Sequence, residues 1–381
     1  MPWERRSVYE QRKTFAKEAQ GTRNFSELCR EYGISRKTGY KWAKREQSGE
    51  GMAELSRRPL HSPNRTDAEV EEKILQLHRE NPGWGAKTIH RILEREECEQ
   101  LPCVKTVNNI LKRSGCISEE ESAKRKAFIR FQKDHCNEMW QTDFKGEFRM
   151  LDGNYCYPLT ILDDHSRFSL CVEPQLSTAN VVIPTFEKVF SEYGLPLAIL
   201  SDNGAQFAGF KKGYTRFERW LMELDILPVH GRIKHPQTQG KIERFHRSMK
   251  NELLRHQMFE NIDDARVQLL GWREKYNSYR PHEALGMKCP AEIYVPSSRS
   301  LPRRIAAYTY SGKYRVVKVN SWGYVRFDRH QIYLSETMIG DYIEFRPSAD
   351  GERFIACFRN FAIAEFDAAS GQLVSRSIAR L

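Results

Sequence analysis

Three acidic residues in the middle of the chain have the type and placement that phosphoryl chemistry needs. Asp143 lies in the run WQTDF, Asp202 follows the apolar run AILS, and Glu243 lies in QGKIERFH. Because 59 and then 41 positions separate them, only tertiary structure could bring them together. Carboxylates at these positions would suffice to hold two Mg²⁺ or Mn²⁺ ions about 3.5–4 Å apart, an arrangement that promotes displacement at phosphorus. Each acid taken alone is also typical of a turn or a helix cap.

Basic residues accompany the third acid. If Glu243 lies in the first turn of a helix, the residues three, four and seven positions later share its face. These residues are His246, Arg247 and Lys250. Basic groups beside a carboxylate favour a DNA backbone that passes over the same face. The alternative is a solvated helix face with ion pairs between successive turns.

The elements that must position these residues are predicted to form an α/β domain over 139–296. Strand-like runs come first, and helical segments then alternate with short apolar runs. We predict helices over 178–194 and 214–224, strands over 197–202 and 227–231, and further helices at about 240–257 and 263–278. Hairpin strands followed by β-α-β units predict a mixed sheet flanked by helices.

The N-terminal part of the chain predicts a first helix-turn-helix domain over 1–55. Residues 24–46 indicate two short helices around Gly33, with Ser35 as the cap of the second helix. Basic residues of the second helix fall where a protein that reads the major groove needs its donors. These candidate DNA contacts are Arg36, Lys37, Lys41, Lys44 and Arg45. The alternative is a two-helix packing unit with a solvated basic face.

A basic linker that contains proline is predicted over 56–65. Its Arg57 and Arg58 could lie along a minor groove, and a plain spacer explains the composition equally well.

Helical periodicity predicts a second helix-turn-helix domain, of winged-helix-like type, over 66–117. The last helix of this domain presents polar side chains to solvent, and the candidate DNA contacts there are Lys105, Asn108 and Lys112. A connecting helix over 118–138 is expected to lead into the α/β domain.

The C-terminal residues 301–381 contain short alternating runs broken by Gly, Asp and Asn, which predicts a small all-β barrel or sandwich. The formal net charge is +11, and the basic excess lies towards both ends of the chain. Basic terminal regions around a neutral central region are typical of a protein that binds a polyanion. The C-terminal domain is therefore predicted to bind DNA. An ordinary basic protein is the alternative.

Composition sets wider bounds. With 381 residues, 40% of them hydrophobic and 29% charged, the chain is expected to form two to four globular domains. Its nine cysteines include no C-x-x-C pair, which favours reduced thiols over a zinc site. No run approaches the ~18 apolar residues of a membrane span, and the N-terminus has no apolar core of a signal peptide. A cytoplasmic, nucleoid-associated protein that does not bind membranes is therefore expected.

The motifs around the three acids, together with HPQTQGKIER and YNSYRPHEAL, resemble the catalytic core of bacterial insertion-sequence transposases of the DDE and retroviral-integrase superfamily. The resemblance covers about 139–290 and includes the order and context of all three acids. It implies an RNase H-like fold in which Asp143, Asp202 and Glu243 are the catalytic residues and the metal ligands. It also implies that Gln239 lies in a loop near the DNA end.

Two features differ from that family. The segment between the second and third acids is longer than usual, and residues 211–217 are the natural place for a surface insertion. Retroviral members also carry an N-terminal His/Cys zinc module, which this sequence replaces with the two helix-turn-helix units. Asp163 and Asp164 match no catalytic acid of the family and are expected to have supporting or structural roles.

The resemblance implies a transposase that binds the inverted-repeat ends of a mobile element, hydrolyses DNA to expose a 3′-hydroxyl, and joins that hydroxyl to target DNA. The expected cofactors are two Mg²⁺ (or Mn²⁺) ions per active site. The expected partners are double-stranded DNA and further copies of the chain in a synaptic complex. Two alternatives stay open: an RNase H-like nuclease or resolvase that only hydrolyses DNA, and a DNA-binding regulator with an inactive core.

Overall fold

The computed structural model describes residues 7–54, 66–117, 132–209, 213–231 and 240–381. The chain divides into two compact units, Met1–Arg65 and Thr66–Leu381. The predicted linker over 56–65 lies outside the described residues. In the described part of the chain, no helix has both the length and the apolar character that a membrane span requires.

Three helices form the first unit: α1 (Val8–Gly21), α2 (Phe25–Glu31) and α3 (Arg36–Gln47). The two helices expected around Gly33 are α2 and α3, and Gly33 makes the turn with a φ of 63°. The side chain of Ser35 caps α3 by accepting the backbone N–H of Thr38. Helix α1 adds to the sequence prediction. Phe15 of α1 is buried in one cluster with Trp42 of α3. Helix α1 thus completes an apolar core that two short helices alone could not enclose.

The second unit begins with three further helices: α4 (Ala68–Glu80), α5 (Ala86–Arg95) and α6 (Val104–Arg113). Their facing sides enclose a compact core in which Ile74, Ile89 and Ile110 are at most 1% exposed. Within residues 66–117, which are all described, there is no β-strand. The prediction of winged-helix character is therefore wrong, because the helices close their core without a hairpin wing.

The described end of the predicted connecting helix, residues 132–138, is not helical. The carboxylate of Asp164 accepts the backbone N–H of Lys133, and that of Asp163 accepts the backbone N–H of Asn137, each at 2.8 Å. These bonds hold the segment in an irregular path beside the sheet, so a helix that extends to residue 138 is excluded. The remainder of that prediction, residues 118–131, lies outside the described residues.

Seven strands follow: β1 (Trp140–Phe144), β2 (Phe148–Arg149), β3 (Tyr155–Cys156), β4 (Leu159–Asp163), β5 (Ser169–Glu173), β6 (Ala198–Ser201) and β7 (Leu227–His230). Strands β2 and β3 form a small hairpin, and the other five form one sheet in the order β5-β4-β1-β6-β7. Strand β4 is antiparallel to β1 and β5, whereas β1, β6 and β7 are parallel. The predicted mixed sheet is confirmed.

Helices cover both faces of this sheet: α7 (Val182–Tyr193), α8 (Arg216–Glu223), α9 (Gly240–Met249), a π-helical turn (Lys250–Leu254) and α10 (Ile262–Ser278). Consecutive side chains of a strand point to opposite faces. Ile161 on β4 packs in the cluster of α7 and α8, and the next residue, Leu162, packs in the cluster of α9 and α10. The sheet therefore has an apolar layer on each side.

The C-terminal strands are β8 (Arg315–Lys318), β9 (Tyr324–Phe327), β10 (His330–Tyr333), β11 (Tyr342–Pro347), β12 (Arg353–Phe358), β13 (Phe361–Asp367) and β14 (Leu373–Arg380). Strands β9 and β10 form a hairpin, and the other five form an antiparallel sheet in the order β14-β13-β12-β11-β8. Because β14 and β8 are its two edges, the predicted closed barrel is wrong. The apolar cluster of this region instead includes Tyr214 and Met222 of the α/β domain.

Two glycines provide opposite tests of the fold. Gly194 ends α7 with a φ of 77°, and a Cβ there would lie 2.6 Å from the carbonyl oxygen of Ser297. Gly194→Ala should lower the free energy of unfolding by at least about 2 kcal/mol, since a left-handed alanine alone costs roughly 1–2 kcal/mol. Gly271, inside α10, has nothing within 4 Å of its Cβ position.

Gly271→Ala is the matched control and should raise the free energy of unfolding by about 0.5–1 kcal/mol. Denaturant titrations of both variants measure the two changes. A Gly194→Ala variant as stable as the wild type would show that α7 does not end against residues 297–299 as described.

Candidate functional site

The parallel pairing of β1 with β6 places two of the three acids side by side. Gln141 is opposite Leu200, so the strands run in register towards Asp143 on β1 and Asp202 immediately after β6. Glu243 lies in the first turn of α9, which packs against β1. Strand ends and a helix start thus direct all three carboxylates towards the same end of the sheet.

The charges of the other two acids act on Asp143. The pKa of Asp143 is raised from 3.8 to about 7, first by burial, then by the charge of Asp202, and to a smaller extent by that of Glu243. The backbone N–H of Phe144 and the ammonium of Lys145 act in the opposite direction. Asp143 is 24% exposed, so its carboxylate lacks the water that would otherwise screen this repulsion.

Among the residues that the structure describes, no group of three or more His, Cys, Asp or Glu side chains lies close enough to hold a metal ion. The acids therefore share one region and one electrostatic field without forming a closed set of ligands. Their donor atoms are all carboxylate oxygens, the type that Mg²⁺ and Mn²⁺ prefer. The donor chemistry, together with the unrelieved repulsion at Asp143, fits a hard divalent cation.

His246 lies inside this site. Its side chain is 11% exposed, with Nε2 at 2.7 Å from Thr160 Oγ1 and Nδ1 at 3.7 Å from Asp143 Oδ2. Burial and the nearby Lys145 lower the pKa of His246 to about 3, so the imidazole is neutral. The predicted DNA contact of His246 is corrected to a buried position beside Asp143. Helical periodicity placed it near Glu243, but could not show that this side of α9 packs against β4.

A buried polar bridge joins the strand of Asp143 to the helix of Glu243. The side chain of Gln141 donates to Asp164 Oδ1 at 2.7 Å and accepts the backbone N–H of Ile242 at 3.3 Å. Lys241 forms an ion pair with the other carboxylate oxygen of Asp164, which is fully buried.

This bridge fixes the start of α9 to β1, and it agrees with the supporting role expected for Asp164. Asp163 likewise accepts bonds from Ser166 and Asn137. Asp163 and Asp164, the two acids of the DDHSRF motif, thus form hydrogen bonds that stabilise the fold, and neither is directed at the three carboxylates.

Asp202 also has the turn role that its sequence context suggests. Its Oδ1 accepts the backbone N–H of Gly204 at 3.0 Å. The preceding Ser201 contacts His230 Nδ1 at 3.1 Å through its hydroxyl, and His230 Nε2 lies 2.8 Å from Glu218 Oε1. These contacts fasten the end of β6 to β7 and α8, which keeps the carboxylate of Asp202 beside β1.

Basic side chains border the acids. Arg247 and Lys250 are exposed, as the helix pattern predicted. Lys145, two positions after Asp143, is a further member that sequence reasoning did not single out. Burial and the charge of Lys250 lower the pKa of Lys145, so the two ammonium groups lie near each other. Alternation along the strand was the available signal, because residues two apart share one face.

In the first unit, the exposed basic residues of α3 are Arg36, Lys37, Lys41 and Lys44. Lys41 Nζ is held 3.6 Å from Glu54 and 4.5 Å above the ring of Trp42. The predicted basic surface is therefore present on this helix.

Arg45 differs from these residues. It is 9% exposed, donates to the carbonyl oxygen of Ala53 at 3.0 Å, and lies 5.0 Å from the ring of Trp42. Its predicted role as a DNA contact is corrected, because the guanidinium is used to fasten the C-terminal segment of the unit to α3.

On α6, Lys105 and Lys112 are exposed and Asn108 is half-buried, which matches the surface expected of this helix. Three further candidate DNA contacts, Arg57, Arg58 and Gln239, lie outside the described residues.

Comparison with protein families agrees with this architecture. Models described as an integrase core domain match residues 133–236 and 224–290. A model described as a helix-turn-helix domain matches residues 11–59, and one described as a homeodomain-like domain matches residues 38–111. The α/β domain is thus an integrase core.

Proteins of two bacterial insertion elements are similar to this chain. The chain is 22% identical over 247 residues to the 31.7 kDa protein of insertion element IS407 from Burkholderia multivorans, covering 63% of this chain and 86% of that protein. It is 25% identical over 253 residues to the 39.2 kDa protein of insertion element IS476 from Xanthomonas euvesicatoria, covering 64% of this chain and 70% of that protein. The chain is thus similar to proteins of bacterial insertion elements, and its α/β domain matches the integrase core models.

Among solved structures, the HTLV-2 integrase catalytic core domain in complex with magnesium matches with a TM-score of 0.32 and 19% identity, covering 42% of this chain and 97% of that one. A chain of the simian T-cell lymphotropic virus intasome matches with a TM-score of 0.37 and 13% identity, covering 81% of this chain and 98% of that one.

The raised pKa of Asp143 predicts a pH-dependent stability. The carboxyl group titrates near 3.9 in the unfolded chain and at about 7 in the folded one. In the folded state the Asp143 carboxyl group therefore stays protonated to a higher pH than in the unfolded chain. The free energy of unfolding falls as pH rises from about 4 to about 7. In metal-free buffer, Asp143→Asn should raise the free energy of unfolding by on the order of 2 kcal/mol at pH 8, and by less at pH 5.

Denaturant titrations at the two pH values measure this difference. Asp134→Asn, at an exposed turn, is the matched control and should show no such dependence on pH. Equal effects of Asp143→Asn at pH 5 and pH 8 would show that burial and the neighbouring acids do not disfavour the ionised carboxylate.

Proposed function

We propose that this protein binds the inverted-repeat ends of a mobile element, cuts DNA there, and joins the freed end to target DNA. The observation that carries the proposal is the convergence of Asp143, Asp202 and Glu243 at one end of the sheet of an integrase core. Three acids at separate positions in the chain act on one another electrostatically, and among the described residues no Lys or Arg forms an ion pair with Asp143. Such a centre suits a reaction that uses divalent cations.

The three carboxylates would hold two Mg²⁺ or Mn²⁺ ions per active site. When bound, such ions activate the attacking oxygen and stabilise the leaving oxygen in a displacement at phosphorus. In the proposed first step, water attacks the phosphodiester at the element end and the bond to the 3′ oxygen breaks. In the second step, the freed 3′-hydroxyl attacks a target phosphodiester, a new bond forms, and the displaced 3′-hydroxyl of the target is released.

The remaining residues of the site bind and orient. The bridge of Gln141, Asp164 and Lys241 fixes the direction of α9 and with it the position of Glu243. Lys145 and Lys250 lie where they would bind phosphate oxygens of a strand that passes the acids.

DNA recognition is assigned to the helical units and supported by the basic C-terminal sheet. Exposed basic residues on α3 and α6 support this assignment, because a helix that enters the major groove needs such donors. Because two element ends must be joined in one reaction, we propose that copies of the chain assemble into a homo-oligomer on the paired ends. Gln239, Arg57 and Arg58 keep their proposed DNA contacts from the sequence.

A strand-transfer assay with Mg²⁺ and DNA that carries the terminal inverted repeats tests the proposal. The wild-type protein should yield joined products. Asp202→Asn should reduce both nicking and joining by on the order of 10³-fold or more, since a lost ligand removes an interaction made in the transition state. Binding to the end DNA should stay unchanged, because Asp202 is remote in sequence from α3 and α6.

Asp134→Asn is the control for removal of an exposed carboxylate and should leave all three activities unchanged. Nicks without joined products would favour the nuclease or resolvase, and binding without any cut would favour the inactive regulator. Normal joining by Asp202→Asn would remove this residue from the metal site.

A further inference from the structure

The turn of residues 82–85, PGWG, joins α4 to α5 and also packs against the α/β domain. Gly83 has a φ of 86°, and a Cβ there would lie 3.3 Å from the Cβ of Asn251 and 3.5 Å from the Cγ of Glu252. Both residues belong to the π-helical turn that follows α9. The backbone of the PGWG turn thus approaches the π-helical turn as closely as a residue without a Cβ allows.

Trp84 is shared by two sets of packed residues. It is 2% exposed and belongs to the core that α4, α5 and α6 enclose. Its ring also lies 5.8 Å from the ring of Tyr279, and the ammonium of Lys275 lies 5.6 Å from its centroid. Because one rigid side chain packs on both sides, the helical core and α10 cannot move apart without exposing it.

Glu252 supplies a buried polar anchor at the same place. Its side chain is 8% exposed and accepts bonds from Arg280 Nε at 2.8 Å and Trp272 Nε1 at 3.2 Å. Burial nevertheless raises the pKa of Glu252. A buried carboxylate with several donors fixes geometry strictly, because any displacement leaves a charge without a partner.

A second contact holds the far end of α5. The guanidinium of Arg95 lies 2.6 Å from Glu292 Oε1 and 3.2 Å from the sulfur of Cys289. The helical part is therefore held at more than one place, which restrains its rotation as well as its distance.

The anchored turn is continuous with the helix of the third acid. Glu252 follows Glu243 by nine positions along α9 and the π-helical turn, which corresponds to roughly 13 Å of helix rise. In the other direction, Trp84 shares its core with Val107 and Ile110 of α6. A continuous path of described, packed elements thus connects the exposed face of α6 to Glu243.

We infer that the PGWG turn holds α6 at a fixed distance and rotation from the three acids. The phosphodiester presented for cleavage then lies a constant number of base pairs from the sequence that α6 contacts. This inference rests on the proposed function, and it adds a determinant of where the DNA is cut. Insertion of about five base pairs turns the contacted face away by half a helical turn, which a rigid protein cannot follow.

The direct test uses wild-type protein, Mg²⁺ and element-end DNA on which hydroxyl-radical footprinting has located the α6 contact. Five base pairs inserted between that contact and the terminus should reduce nicking at the terminal phosphodiester at least about tenfold, with the footprint unchanged. Equal nicking at the terminus of both DNAs would overturn the inference. Failure to nick the DNA of native spacing would instead overturn the proposed function, so the two failures are distinct.

Gly83→Ala tests the turn itself. The quantity measured is the nicking of DNA with native spacing divided by the nicking of DNA with the five-base-pair insertion. In Gly83→Ala this ratio should fall from at least about tenfold to below about threefold, because the added methyl group separates the turn from Asn251. Gly115→Ala and Gly85→Ala are matched controls with open space around the added Cβ, the former also at a positive φ of 73°. Both should keep the full ratio.

A Gly83→Ala protein that leaves the wild-type footprint and keeps the full ratio would exclude the turn as the fixing element. If this variant does not fold, equal nicking of both DNAs by the wild-type protein still overturns the inference.

Discussion

Mutual repulsion between Asp143 and Asp202 is the constraint around which the α/β domain is arranged. Parallel pairing of β1 with β6 brings both carboxylates to one end of the sheet, and burial deprives Asp143 of water that would weaken the repulsion. Only a proton or a cation relieves it. In the proposed function, divalent cations would relieve this cost by neutralising the charge of the carboxylates.

The surrounding structure keeps the acids in place. Buried Gln141 and Asp164 tie α9 to β1, and Ser201 and His230 tie the end of β6 to β7. Neutral His246 fills the space behind Asp143 without adding a charge. Further out, the C-terminal sheet shares its apolar cluster with the α/β domain, and the PGWG turn attaches the helices α4 to α6. Helix α6, which contacts DNA in the proposed function, is thus part of one packed unit with the acids.

Sequence motifs identified the acids and the mixed sheet because those depend on local context and strand periodicity. They could not show that His246 is buried, since the direction of a helix face depends on β4, more than eighty positions earlier in the chain. Closure of the C-terminal sheet failed as a prediction for the same reason: Tyr214 and Met222 cover its apolar face from another domain. Arg45 resembled its basic neighbours in sequence and differs only because Trp42 and Ala53 enclose it.

Anomalous scattering from Mn²⁺ in crystals of the protein tests whether the three acids hold metal. Mn²⁺ should be bound by Asp143, Asp202 and Glu243 at oxygen distances of about 2.0–2.4 Å, and this density should be lost in Asp202→Asn crystals soaked identically. The same Mn²⁺ density in wild-type and Asp202→Asn crystals, or Mn²⁺ bound only away from these acids, would contradict it.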